Sequence, residues 1–513
     1  MTRETRIALG AMALSVFVVA NDITALSVAL PDIERDFDSD VSTVQWVVSA
    51  YALVFGVLIV TGGRLADMLG RRRVFFIGAG IFAGFSLLAG AAQSDIWLIV
   101  CRGLMGVGGA MMWPAVLGMT YDILPSERAA LAGALIIGSA GFGNAAGPLL
   151  GGVLTEVLSW RWILFVNVPI AALACFVTWR SVPESHGAGA DEGLDVPGIA
   201  TLSVGLVALL LGLDQVTQWG WADPRILALF AACALLLVAF VVVERRAGAR
   251  ALVPREVMAN PGFRAACLAT LLMSAVFFAE LLFLPQFMQK ILGFSPLEAG
   301  AGLLPLMAVF AVTSFAAGPL YERLGAKVVV SAGAACLTLG TFLISLIERS
   351  SGWEALLPGM VVTGLGVGLF YSSITTAAVT ALDPSRSSLA GGIVYMFQVA
   401  GGSIGLGLTT TVFTTASQDR IERDAAGLSD KQVEDVDGVL AGTDSAAAVL
   451  AGQGKAAAER IVETVREGFV AGLSWSFRLV ALLALGGLVV SILFVGGSLL
   501  GRGREPTAHL PAD

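Results

Sequence analysis

Fourteen apolar runs, each long enough to cross a bilayer, constrain this chain more than any other feature of its sequence. A helix that spans the hydrocarbon layer needs about 20 mostly apolar residues. Only 14% of the residues are charged, compared with about 25% in soluble proteins. The sequence therefore predicts an all-α polytopic membrane protein. The runs cover residues 7–30, 44–62, 74–93, 96–119, 129–154, 162–180, 196–214, 225–243, 264–289, 298–319, 328–347, 356–380, 389–416 and 471–499.

Lysine and arginine placement predicts the orientation. If the N-terminus lies inside, most basic residues fall in inner loops, and the short outer loops hold few. Such a bias marks the cytoplasmic side, so we expect a multi-pass plasma-membrane protein with both termini cytoplasmic. Residues 417–470 then form an extracellular loop, whose Ala/Gly-rich stretches could be partly helical. The basic residues of the short outer loops are Arg35, Arg161, Arg225, Lys290 and Arg349.

A short basic loop occurs twice. Residues 63–73 place one acid among four arginines, and residues 318–327 repeat the pattern 255 positions later. Both copies follow an even-numbered span and precede an odd one, so the offset is eight spans. Repeats of this kind build secondary transporters. We therefore predict two six-helix bundles (residues 1–194 and 261–513), with two inserted helices between them (195–260).

Three charged residues lie deep inside apolar runs. Asp22 is in span 1, and a carboxylate there is costly unless it has a task; it could load and release protons or be a hydrogen-bonded structural acid. Arg102 in span 4 cannot deprotonate, so it either sets the field at a carboxylate or forms a structural ion pair. Glu280 in span 9 could carry a second proton or bind a cationic substrate if it faces a cavity. If it faces another helix, it could be a protonated, hydrogen-bonded acid.

Other site chemistry finds little support in the sequence. The five cysteines lie in apolar runs without a CxxC pair, so we expect neither a disulfide framework nor a metal site. Both histidines fall outside the runs, which leaves proton chemistry in the membrane to carboxylates. Nothing resembles an ATP-binding loop. We expect no enzyme activity and no nucleic-acid partner.

Five motifs together resemble the major facilitator superfamily, and within it the fourteen-helix drug:proton antiporter branch, over nearly the whole chain. Residues 63–73 resemble the family's loop 2–3 motif, and residues 98–110 resemble its span 4 motif with a central arginine. Residues 21–31 and 160–169 are similar to the branch's span 1 motif and the start of its span 6. The span 5 antiporter motif is matched by Gly143, Gly147, Pro148, Gly151 and Gly152.

The resemblance implies how several of these residues act. Asp22 and Arg102 would couple transport to protons, with Glu280, which matches no motif, as a further candidate. Asp67 would dock against the start of span 11 and close the inner face, although the loop could instead only set topology. The span 5 glycines would let helices slide or bend at the interface between the bundles. The predicted inner gate comprises Gly63, Asp67, Gly70, Arg71 and Arg72.

These observations lead to one main functional hypothesis. We expect a proton-coupled antiporter that exports hydrophobic or amphipathic drugs by alternating access, as a monomer in the lipid bilayer. The proton gradient would supply the energy, and no cofactor is expected. The alternatives are a dedicated exporter of a lipid, a siderophore or a self-made antibiotic, and a non-transporting receptor. Some members of the family it resembles that export dications carry acids in span 13; this chain has none there, so the resemblance disfavours dications as substrates.

Overall fold

Fourteen helices form the body of the protein, as the hydropathy pattern predicts. The computed structural model describes residues 2–39, 41–187, 193–424 and 455–496, and every regular element in these ranges is helical. Fourteen of the helices are long and apolar enough to cross a membrane. They are α1 (Arg3–Ala25), α2 (Val41–Leu69), α3 (Arg71–Gly90), α4 (Asp95–Ile123), α5 (Ala129–Val157), α6 (Arg161–Ser181), α7 (Val196–Trp219), α8 (Pro224–Ala247), α9 (Pro261–Lys290), α10 (Leu304–Leu324), α11 (Ala326–Ile344), α12 (Trp353–Thr380), α13 (Ser387–Asp424) and α14 (Lys455–Phe494).

The helix pairings recur after eight helices. In the first helix set, α1–α6, α1 packs on α5 and α6, α2 on α4, and α3 on α4 and α6. The same five pairings occur in the second helix set, α9–α14: α9 packs on α13 and α14, α10 on α12, and α11 on α12 and α14. The sets meet where α5 contacts α10 and α12, and where α13 contacts α2 and α4. The boundaries at residues 194 and 260 stay predictions.

The two basic loops share a backbone turn. α3 begins after Gly70, at φ 107°, and α11 begins after Gly325, at φ 84°. Residues with a Cβ rarely adopt these backbone angles. The glycines of the repeat therefore allow the chain to leave one helix and start the next within a single residue.

The predicted loop 417–470 is helical wherever the structure describes it. α13 continues to Asp424, and α14 begins at Lys455. Residues 425–454 lie outside the described ranges. So does the segment 497–513, which holds Arg502 and Arg504, two of the basic residues that the orientation places on the inner side.

Candidate functional site

Asp22 lies in a buried polar cluster inside the first helix set. It is 0% exposed, as are its partners Arg102 of α4 and Asn167 of α6. Arg102 Nη1 forms an ion pair with Asp22 Oδ2, and Asn167 Nδ2 donates to Asp22 Oδ1 at 2.8 Å. Both carboxylate oxygens therefore have a donor. The structure thus brings together two of the residues that the sequence singled out, which lie 80 positions apart in the chain.

Contacts from α2 fix the orientation of the Arg102 side chain. Its Nε donates to the carbonyl of Val47 at 2.9 Å, and its guanidinium carbon lies 4.5 Å from the centroid of the Tyr51 ring. Its Nη2 has no hydrogen-bond partner among the described residues. A cation held in this way is attracted both by the ring and by the carboxylate. Protonation of Asp22 would remove the second attraction and leave the first.

Asn167 connects the acid to α3. Its Nδ2 also lies 3.2 Å from Ser86 Oγ, and the Ser86 hydroxyl donates to the carbonyl of Leu164 at 2.7 Å. Sequence reasoning quoted Asn167 only within a motif and missed Ser86. The signal for Asn167 was an amide in an otherwise apolar span, which needs a partner there.

Glu280 faces other helices of the second set. It is 0% exposed, and its Oε1 accepts hydrogen bonds from Thr341 Oγ1 of α11 and Thr363 Oγ1 of α12, each at 3.1 Å. Its Oε2 has no partner in the part of the chain that the structure describes. Of the two geometries left open by the sequence, the helix-facing one is observed. Sequence reasoning missed both threonines, because hydroxyls in apolar helices often bond only to their own backbone.

Asp67 ties α2 to the start of α13, which corrects one expectation. Its Oδ2 accepts the N–H of Leu389 at 2.9 Å, and its Oδ1 accepts Arg71 Nε at 3.0 Å. The prediction that Asp67 docks on span 11 is therefore wrong. The N–H groups of the first helical turn have no partner within their own helix, and that of Leu389, in the first turn of α13, is the one within reach.

Arg71 is the hub of this predicted inner gate. It is buried and also forms an ion pair with Asp122 of α4, while its Nη2 donates to the carbonyl of Pro384 at 3.2 Å. Gly63 allows α2 to lie close to the start of α13, because an added Cβ would lie 2.7 Å from the Ser388 carbonyl oxygen. The gate residues of α2 and α3 thus contact the segment that leads into α13.

The segment 182–187, which follows α6, completes the gate. The carbonyls of Ser185 and Asp67 accept the N–H groups of Arg71 and Gly187, at 2.9 and 2.7 Å. Arg72 Nη1 donates to the carbonyl of Val182 at 2.9 Å, and the Arg72 N–H donates to the carboxylate of Glu184, also at 2.9 Å. An added Cβ at Gly70 would lie 2.8 Å from that same carboxylate.

A capped turn holds the α13 side of the gate. The Ser385 hydroxyl and N–H both donate to the Asp383 carboxylate, and these bonds hold its pKa below the usual value. This turn presents the Pro384 carbonyl that Arg71 contacts.

The span 5 motif packs mainly against α1, the helix of Asp22. An added Cβ at Gly147 would overlap Thr24, one at Gly151 would overlap the carbonyl of Ala25, and one at Gly143 would lie 2.7 Å from the carbonyl of Phe17. Gly152 points elsewhere, since only Leu297 comes near, at 3.5 Å. The motif's tight contacts are therefore within the first helix set, two to five residues along α1 from the buried acid.

Pro148 leaves a free carbonyl that α1 satisfies. Proline has no N–H, so the carbonyl of Asn144, four residues earlier, loses its helical donor. The Thr24 hydroxyl reaches that carbonyl at 3.2 Å. α5 continues through the proline as one helix.

Aromatic side chains of α2, α4 and α13 join the two helix sets. The Tyr395 ring of α13 lies 4.7 Å from Trp113 of α4 and 5.4 Å from Phe55 of α2, measured between centroids. The sequence did not single out any of these three rings. Phe55 and Trp113 are buried, so the three rings pack the interface between the helix sets.

A cavity of about 790 Å³ lies at the predicted outer ends of α11, α13 and α14. Arg478 lines it and lies over the Trp475 ring, 4.9 Å from the centroid. No group of three or more potential metal ligands occurs in the described ranges.

The fold defines a class before any comparison is made: a polytopic membrane protein with two helix sets of matching pairings and a buried ion pair in one of them. The chain belongs to the Major Facilitator Superfamily, whose family model matches residues 12–406. A solved structure of the human organic anion transporter MFSD10 covers 96% of this chain and 100% of its own, with a TM-score of 0.62 at 14% identity. The predicted fold is confirmed.

The chain is similar to several named export and resistance proteins. It is 36% identical over 401 residues to the cephamycin export protein CmcT of Amycolatopsis lactamdurans, covering 77% of this chain and 82% of that protein. It is 35% identical over 406 residues to the puromycin resistance protein pur8 of Streptomyces alboniger, covering 78% and 80%. It is 33% identical over 418 residues to the multidrug resistance protein Stp of Mycobacterium tuberculosis, covering 80% and 76%.

Proposed function

We propose that this protein exports hydrophobic or amphipathic drugs and antibiotics across the plasma membrane in exchange for protons. Membership of the superfamily and the names of the similar proteins support drug or antibiotic export. In this proposal the protein is a monomer in the lipid bilayer, with both termini in the cytoplasm. The proton gradient supplies the energy, and no cofactor takes part.

The buried contact between Asp22 and Arg102 is the observation that carries proton coupling. A carboxylate removed from water is stable when a cation and a hydrogen-bond donor hold it, and here each oxygen has one. A proton on Asp22 cancels its charge and breaks the ion pair with Arg102. Arg102 then remains bonded to the carbonyl of Val47 in α2. Proton binding therefore changes the forces between α1, α4 and α2, the change a proton-driven transporter needs.

The gate at Asp67 and Arg71 gives the second half of the cycle. In this structure its contacts hold α2 and α3 against the start of α13, so the predicted inner end is latched. A compound that enters from the cytoplasm requires these contacts to break. Alternating access then means that the two helix sets rock about their interface, where Tyr395 meets Trp113 and Phe55.

A narrower cargo is the second candidate. The similar proteins include one named for multidrug resistance and two named for cephamycin export and puromycin resistance. A dedicated exporter of one antibiotic would use the same scaffold and the same proton site. A panel of compounds distinguishes the two, because a dedicated exporter protects cells from one chemical class.

The test is transport into inverted membrane vesicles of a host that lacks its own drug exporters. Ethidium and puromycin serve as probes, and the wild-type protein should concentrate at least one of them until a protonophore is added. Asp22→Asn keeps the size of the side chain and removes its charge, and we expect it to abolish gradient-driven uptake. Asp32→Asn is the matched control, because Asp32 is a partly exposed acid in the short helix that follows α1.

Two results would refute the proposal. One is uptake that a protonophore does not affect. The other is an Asp22→Asn variant, expressed at the wild-type level, that concentrates the probe as well as Asp32→Asn does.

A further inference from the structure

The two helix sets can be placed in residue-by-residue register from their closest contacts. An added Cβ at Gly108 of α4 would lie 2.6 Å from the carbonyl oxygen of Gly78 in α3. An added Cβ at Gly366 of α12 would lie 2.9 Å from the carbonyl oxygen of Gly333 in α11. Gly333 follows Gly78 by 255 positions, and Gly366 follows Gly108 by 258. The same two offsets therefore relate the same contact in both sets.

The register relates the two buried acids. Asp22 is the twentieth residue of α1, and Glu280 is the twentieth residue of α9. Ser86, which Asn167 links to Asp22, corresponds at the α3/α11 offset to Thr341, which donates directly to Glu280. Each helix set thus carries one buried acid at the same place, beside a hydroxyl from the corresponding helix.

The two acids differ in their partners. At the α4/α12 offset, the position of Arg102 is taken by Met360, which is buried and apolar. Thr363, one turn further along α12, donates to Glu280 instead. The N-terminal acid therefore has a cation and the C-terminal acid has two hydroxyls.

We infer that Glu280, held by Thr341 and Thr363, is a second proton-binding site, which exchanges a proton during transport without a partner cation. This inference rests on the proposed proton coupling and adds a second site to it. A buried carboxyl without a counter-charge is most stable as the neutral acid. A hydroxyl donor can hold one carboxyl oxygen while the other keeps the proton, and Oε2 is the oxygen without a partner.

Among the described residues of the helices around Glu280, no charged side chain competes with its two hydroxyl partners. On α12, Tyr371 is a titratable group, and its hydroxyl donates to Ser274 Oγ at 3.2 Å. On α14, Phe477 packs on Phe283, and the next residue, Arg478, points to the Trp475 ring. α13, whose Gly405 packs against Ala275 of α9, has no acid or base between Tyr395 and Asp419, and the only charged residue of α11 is Lys327 in its first turn.

The consequence is two kinds of proton site in one transporter. Asp22 exchanges a proton within an ion pair. When Asp22 is deprotonated, Arg102 balances its negative charge. Glu280 exchanges a proton with no ion pair to break, so proton release would leave a bare buried charge. Release from Glu280 therefore requires that water or a cationic substrate reach it when the helix sets move.

Infrared spectroscopy tests the resting state of the purified protein without transport. A protonated carboxyl has a carbonyl stretch distinct from that of a carboxylate. We expect Glu280→Gln to remove such a band at neutral pH, and Asp22→Asn and the exposed control Glu354→Gln to leave it. Thr341→Val with Thr363→Val should shift the band to higher frequency, because the carbonyl loses its donors. A spectrum without a band that depends on Glu280 overturns the inference.

Proton counting tests whether that proton moves. In proteoliposomes with ethidium as the probe, Glu280→Gln should lower the number of protons exchanged per ethidium by one, while Glu354→Gln should match the wild type. An unchanged proton number in Glu280→Gln would make Glu280 a structural acid and overturn the inference. Absence of any proton exchange in the wild type would instead refute the proposed function, and the infrared result would still stand.

Discussion

For single residues inside the helix sets, stability depends on how a buried charge is compensated. Arg102 and Asp22 are both removed from solvent, and each is the other's counter-ion. Removal of one partner from such a pair costs about 3–5 kcal/mol, because the remaining charge stays buried. Replacement of both by neutral side chains costs much less.

This asymmetry gives the first prediction. Arg102→Met should lower the thermal unfolding midpoint of the detergent-solubilised protein strongly, since Asp22 then has only Asn167 as a donor. The double variant Asp22→Asn with Arg102→Met should recover most of the loss. Tryptophan fluorescence during heating provides the measurement. A double variant as unstable as Arg102→Met would show that the ion pair is not the source of the effect.

The sequence identified the charged members of the site and missed their polar partners. A charge in an apolar run stands out by itself, so Asp22, Arg102 and Glu280 were visible. Ser86, Thr341 and Thr363 were not, because a hydroxyl in a helix usually bonds to the preceding turn. Which hydroxyl faces an acid depends on how each helix is rotated and on which helices pack beside it. The sequence of a single span does not determine either.

At the scale of helices, Pro148 and Thr24 form one structural unit. The proline frees the Asn144 carbonyl, and the Thr24 hydroxyl occupies it. An unsatisfied buried carbonyl costs about 1–3 kcal/mol. The contact therefore fixes α5 beside the segment of α1 that carries Asp22.

A double-mutant cycle tests this unit. Thr24→Val should destabilise the wild-type protein, but it should have a smaller effect in a Pro148→Ala background, where the N–H of residue 148 can bond to Asn144. Unfolding midpoints of the four proteins give the coupling. Equal effects of Thr24→Val in both backgrounds would contradict this explanation of the proline.

The span 5 glycines differ in what surrounds them, and this predicts different tolerance. Gly147→Val should prevent α5 from reaching α1, because even a Cβ would overlap Thr24. Gly152→Ala should be tolerated, since its nearest neighbour is 3.5 Å away. Ethidium resistance and the amount of folded protein in the membrane measure both variants. Equal loss in the two variants would refute the assignment of the tight face to α1.

At the scale of the whole molecule, the basic loop and its copy have different environments. Asp67 is 1% exposed and holds α13, whereas its counterpart Glu322 is exposed at the end of α10. Only one of the two loops can therefore latch the helix sets through its acid. Charge asymmetry between the copies was visible in the sequence, but the target helix was not.

This difference predicts the effect of removing each acid. Spin labels at Leu69→Cys and Leu324→Cys, with the five native cysteines replaced by alanine, report the separation of α2 and α10 at the predicted inner end; both sites are exposed. Asp67→Ala should shift the distance distribution to longer values. Glu322→Ala is the matched control and should leave it unchanged. The same shift in both variants would contradict the latch.

Hydropathy alone was enough to find the fourteen spans, because the bilayer requires about 20 apolar residues in each. The repeat predicted two related bundles, and the observed pairings recur after eight helices. The docking of Asp67 on α13 rather than span 11 depended on a free N–H that becomes visible only when α2 and α13 are placed together. Contacts between distant helices were the part that the sequence did not encode locally.

The central claim is that proton movement through the Asp22 site drives export. Purified protein in liposomes that enclose a pH-sensitive dye provides the most direct test, with an ethidium gradient as the only driving force. The account predicts that ethidium leaving in one direction drives protons in the other, and that Asp22→Asn abolishes this proton flux while Asp32→Asn does not. Ethidium transport without proton flux in the wild type, or an undiminished flux in Asp22→Asn, would contradict it.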